Sequence, residues 1–134
     1  MLKSCQHQAD AVAASAFIDR TVAHLRRYYS NAVASLSELE LRARVIHCIA
    51  RGRAHGLTWE YSLTVFASHM ITLCPTFDRH PEVARILEDS PLAPDERMDE
   101  LLSEVPDPAW QEIVAGCDAE GYWRRVASGE EALP

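Results

Sequence analysis

From one end of this sequence to the other, apolar residues recur at the spacing of an α-helix, and no stretch alternates apolar with polar as a half-buried strand requires. Ala14, Phe17, Ile18, Thr21, Val22, Leu25, Tyr28 and Tyr29 fall within one stripe, opposite Asp19, Arg20, Ala23, Arg26 and Arg27, which predicts an amphipathic helix over about 9–29. Ser35 and Ser37 each precede a glutamate by three residues, forming two overlapping S-x-x-E capping boxes. They open a second helix over about 37–55, with Leu41, Val45, Cys48 and Gly52 on its inner stripe and Gly56 as its stop. Thr58 is the expected N-cap of a third helix over 59–73. Its only charge is Glu60, in the first turn, so burial on most sides is expected and this helix is placed at the centre. Pro75 ends it.

Beyond Pro75 the punctuation is mostly proline at first helical positions, where the missing N–H costs nothing. Pro81, Pro94 and Pro108 each open a short amphipathic helix, and a last turn or helix surrounds Tyr122, Trp123 and Val126. The fold expected is all-α, an irregular bundle of about five to seven helices around the central apolar helix. A chain of 134 residues fits a single domain, here set at 1–127, with 128–134 as a flexible tail.

Charge is uneven. The net value is −7, yet arginines outnumber acids from Arg20 to Arg53, whereas acids dominate from Glu82 onward. That layout disfavours nucleic acid and favours a protein partner with a basic surface. Arg42 and Arg53 flank one side of the second helix's apolar stripe and Arg44 and Arg51 the other, as arginines bordering a core do. No apolar run is long enough for a membrane span, and Met1 to Gln8 hold no export signal. A cytoplasmic location is expected. Cys5, Cys48, Cys74 and Cys117 are then expected as reduced thiols without disulfides.

The chemistry-bearing residues form no recognised catalytic, nucleotide or metal motif. The densest cluster of ligand-type side chains is Cys74, Asp78, His80 and Glu82, at a helix-to-helix corner. A small metal- or thiol-dependent enzyme centred on Cys74 and His80 is therefore the alternative reading, with a nucleic-acid-binding regulator ranked behind it. The bland one makes Cys74 a buried thiol and the others turn, cap and first-turn residues. No catalytic residue, metal ligand or cofactor is assigned.

Arg51 to Glu60, Leu73 to Asp78, Ile86 to Asp89 and Leu92 to Arg97, with Ala23 to Arg26 and Tyr28 upstream, resemble small helical proteins encoded in bacterial type VI secretion and polymorphic-toxin cassettes. Members of that group commonly carry glycine where this chain has Cys74. The resemblance implies a non-enzymatic protein that binds a cognate secreted effector, as an immunity protein or a loading chaperone. For such a partner the candidate contacts are the acids Glu96, Asp99, Glu100 and Glu104 with the aromatic anchors Trp110, Tyr122 and Trp123.

Overall fold

The computed structural model describes residues 2–131, and side chains from residue 13 onward. It is all-α: among the described residues there are eight α-helices, one 3₁₀ turn and no strand. The helices are α1 (Leu2–Tyr28), α2 (Ser30–Val33), α3 (Glu38–Ala54), α4 (Glu60–Thr72), α5 (Pro81–Asp89), α6 (Pro94–Glu104), α7 (Asp107–Ala115) and α8 (Ala119–Ser128), with the 3₁₀ turn at Phe77–Arg79. The helix beyond those expected is α2, a single turn that begins where Tyr29 leaves helical geometry at φ −132° and ψ 39°. None of the described helices is long and apolar enough to cross a membrane.

The chain forms two compact units, one up to Ile46 and one from His47 onward, the boundary falling inside α3. In the first, Phe17, Val22, Leu25, Val33, Leu41 and Val45 are buried. Among its described residues, Arg26 donates to the carbonyls of Val33 and Leu36 and pairs with Glu38, and Arg42 reaches Asp19 and Ser15. The Arg26 guanidinium thereby bonds carbonyls of the segment that leads from α2 to α3, adding to the Leu36 amide that Val33 already accepts. The start of α3 uses one of the two capping boxes. The Ser37 hydroxyl accepts from the Glu40 amide at 3.1 Å and bonds to the Glu40 carboxylate at the same distance.

The second unit has Leu63, Phe66, Ala67 and Met70 of α4 in its interior, with Cys48, Ile49, Leu57, Phe77, Val83, Ile86, Leu87, Met98, Leu101 and Tyr122. Its α5 packs on α6 and on the 3₁₀ turn, and α6 lies against α4. Gly52 is the point of close approach between the end of α3 and α4, because a Cβ there would stand 2.9 Å from Leu63 Cδ2 and 3.3 Å from Phe66 Cδ1. Gly56 ends the helix region as expected, at φ 89°, the left-handed conformation glycine adopts without a Cβ penalty.

Helix α4 departs from expectation at both ends. Its N-cap position is Trp59, not Thr58, and no side chain of its own segment caps it. Asp95, from the first turn of α6, does so instead. It accepts from the Thr58 amide and hydroxyl and from the Trp59 amide, all within 2.9 Å. Burial pushes the Asp95 carboxyl up, but these hydrogen bonds outweigh it and hold the group below the usual carboxylate range. The burial expected on most sides of α4 also fails at Tyr61 near its start and Leu73 at its end, both exposed.

Candidate functional site

The segment from Cys74 to His80 links α4 to α5, and nearly every polar or sulfur-bearing side chain in it reaches a different part of the second unit. Cys74 is disulfide-bonded to Cys117, with Cα atoms 5.8 Å apart. Asp78 receives both forks of the Arg51 guanidinium, at 2.9 and 2.7 Å, and meets His55 Nε2 at 2.8 Å. Arg79 pairs with Glu131 at 2.8 Å. His80 Nδ1 accepts from the Glu82 amide as the cap of α5, while its Nε2 lies 2.9 Å from Glu112. The corner is a hub that ties together the end of α3, the start of α5, α7, and the residues before and after α8.

This geometry corrects several expectations. The cysteines are not all reduced, because the fold brings Cys74 and Cys117 within disulfide reach across a sequence separation of 43 that carries no local spacing signal. Cys48 is fully buried and lies outside the disulfide. Cys5 falls outside the described side chains. Cys74, Asp78, His80 and Glu82 do not converge: each is committed elsewhere, Glu82 to Arg85. Among the described residues no group of histidine, cysteine and acidic side chains is placed to hold a metal ion. Arg51 is no snorkelling surface residue; it is 9% exposed and its partner Asp78 5%. The segment after α8 begins pinned, since the Glu130 and Glu131 amides donate to the Arg125 carbonyl and Glu131 bonds Arg79. Residues 132–134 lie outside the described residues.

The Arg51 guanidinium extends the network inward. Its Nη1 donates to the Tyr122 hydroxyl oxygen at 2.6 Å, which leaves the Tyr122 proton for His47 Nε2 at 2.5 Å. Burial lowers the His47 pKa, and the nearby Arg51 charge lowers it further, consistent with a neutral imidazole accepting that proton. Trp123 packs edge-on against both His47 and Tyr122. Tyr122 and Trp123 are therefore interior residues, withdrawn from the surface where a partner anchor must stand. Their two-residue apolar signal is the same for a core helix as for an interface, which is why sequence did not separate the two.

The remaining candidates sit on α6 and α7. Glu96, Asp99 and Glu104 are exposed, whereas Glu100 is half-buried and accepts from the Ser90 hydroxyl. Trp110 is half-buried on α7, with its ring 5.6 Å from His69 and stacked on Phe77 at 6.5 Å between centroids. Burial lowers the His69 pKa, partly countered by the bond from its Nδ1 to the Val65 carbonyl, so at neutral pH this ring is uncharged. Along the chain the charge here has one sign: from Met98 to Trp123 there are seven acids and no lysine, arginine or histidine, and His80 from the start of α5 reaches one of them, Glu112. Asp99, Glu104, Asp107, Glu112, Asp118 and Glu120 of that run are all exposed.

What the arrangement offers chemically is a rigid, disulfide-clasped body that presents carboxylates. No protein-family model, curated protein or solved structure matches this chain.

Proposed function

We propose that this is a non-enzymatic binding protein whose α6 and α7 face engages a protein partner of basic surface, a cognate secreted effector or toxin. The observation that carries the reading is the stretch from Met98 to Trp123, which contains acids alone and turns most of them to solvent. A single-signed face of this kind steers a partner of opposite sign and disfavours nucleic acid. The resemblance to proteins of type VI secretion and toxin cassettes supports an effector as that partner, with neutralisation and loading as the two roles such a complex serves.

The test is co-purification with the products of the neighbouring genes, followed by toxicity rescue. A named effector that is retained at low salt, released as salt rises, and lost when Glu96, Asp99 and Glu104 are changed together to lysine supports the reading. Retention indifferent to that triple change overturns it. Rescue from toxicity assigns neutralisation, and loss of secretion at unchanged toxicity assigns loading.

A further inference from the structure

Beside the disulfide, two helices leave apolar side chains uncovered along the same line. At the end of α4, His69 and Leu73 stand one turn apart, joined by the Leu73 amide to the His69 carbonyl at 3.0 Å. On α7, Trp110 and Val114 are likewise one turn apart and so share a side of their helix. The two pairs face each other through the His69 and Trp110 rings, and Phe77 beneath contacts both, at 5.3 and 6.5 Å. Leu73 adjoins Cys74, and Val114 receives the Cys117 amide on its carbonyl, so the disulfide closes the line at its far end. Leu73 is 38% exposed and Val114 52%.

From these contacts we infer that the seam formed by His69, Leu73, Trp110 and Val114 is a docking site for an amphipathic helix whose apolar ridge is bordered by lysine or arginine. The apolar part follows from large side chains left in water on a base that cannot collapse over them, because ring stacking below and the disulfide at the end fix both helices. A preorganised apolar anchor of this sort spends little conformational entropy on binding. The charge of the occupant follows from its surroundings. Asp107 and Glu112 lie on α7 itself, Glu104 and Asp118 lie just before and after it, and the basic side chain set against them is His80, whose Nε2 meets Glu112. A helix with acidic borders meets Glu104, Asp107 and Asp118 there as like charge, whereas a basic one meets them as its complement.

This rests on the basic-partner reading above and adds the apolar half of the recognition. A suitable probe is a synthetic helix of about eighteen residues of leucine, alanine and lysine, with leucine at helical spacing. Its controls are a peptide with glutamate for lysine and one of identical composition in permuted order. The expected result is saturable shifts in NMR spectra concentrated on the Leu73 and Val114 methyls and the Trp110 indole N–H, seen with the ordered basic peptide alone. Leu73→Glu with Val114→Glu should weaken binding by roughly tenfold or more, while Leu39→Glu, a control at an exposed leucine of the first unit, should not. Shifts elsewhere, equal binding of the permuted peptide, or no shift at any residue overturns the seam. If the double variant binds unchanged while Glu104→Lys with Asp107→Lys abolishes binding, the seam falls and the acidic-face reading stands. If neither variant matters, both fall.

Discussion

Arg51 and Asp78 show how a single pair can hold a small helical protein to one arrangement. Both are nearly out of water, and their planar fork-to-carboxylate match leaves few other geometries in which both are satisfied. Removing one partner strands the other charge in the interior. Asp78→Ala should therefore cost about 3–5 kcal/mol in urea unfolding, and the double change Arg51→Met with Asp78→Leu should cost less than that single one. A double variant weaker than both singles added together would show that the pair is not the unit assumed. Asp95 acts on a smaller scale, as a cap supplied from another helix. Asp95→Ala should cost about 1–2 kcal/mol, and Asp95→Asn, which keeps one acceptor oxygen, should recover part of that.

The helices of the second unit are finished by their neighbours more than by themselves. The α5 terminus illustrates it: Arg97 of α6 donates to the carbonyls of Leu87, Ser90 and Leu92, each at 2.7 Å, occupying acceptors that the end of a helix leaves open. A lysine cannot make that fork, because its ammonium is a compact point charge on one stem. Arg97→Lys and Arg97→Met should both lower stability by about 1–3 kcal/mol, with hydrogen exchange accelerating first in the last turn of α5. Uniform acceleration across α4 to α8 would place the role of Arg97 elsewhere. At the start of α8 the cap is local: Asp118 accepts from the Gly121 amide at 3.1 Å, and its carboxylate fills the space a Cβ on residue 121 would need. Arg97 thus fixes where α5 ends, and Asp118 where α8 begins.

For the molecule as a whole, the Cys74–Cys117 disulfide closes a loop long enough to remove much freedom from the unfolded chain. For a sequence separation of 43, the loop-entropy relation gives about 4 kcal/mol. Cys74→Ser with Cys117→Ser should lose a stabilisation of that order, as should reduction of the native chain, and the reducing agent should leave the double variant unaffected. An unchanged unfolding midpoint in reductant would remove the clasp from the account. Stability should also depend on pH. His47 and His69 both titrate below their ordinary 6.5 in the folded chain. As pH falls through 6.5 the unfolded chain takes up those protons first, so the folded state loses stability down to the depressed folded pKa values. Asp95 and Glu131, held low when folded, add a further loss in the more acidic carboxylate range. Replacing His69 with Gln should flatten the slope just below pH 6.5, and an unaltered slope would show that His69 does not carry it.

The all-helical class and most helix boundaries were legible in the amino-acid order, because apolar period, capping serines, glycine stops and proline starts act over a few neighbouring residues. Ser37 with Glu40, Gly56, the openings at Pro81 and Pro94, and Pro108 one residue inside the start of α7 are all of this local kind. The uneven charge was legible for the same reason. Arg51 meeting Asp78, Cys74 meeting Cys117, Asp95 capping α4 and the burial of Tyr122 and Trp123 each join residues far apart in the chain. Whether an arginine faces water or a carboxylate, and whether a tryptophan is core or anchor, depends on which helix lies against it. Packing decides that, and no spacing along the chain encodes it.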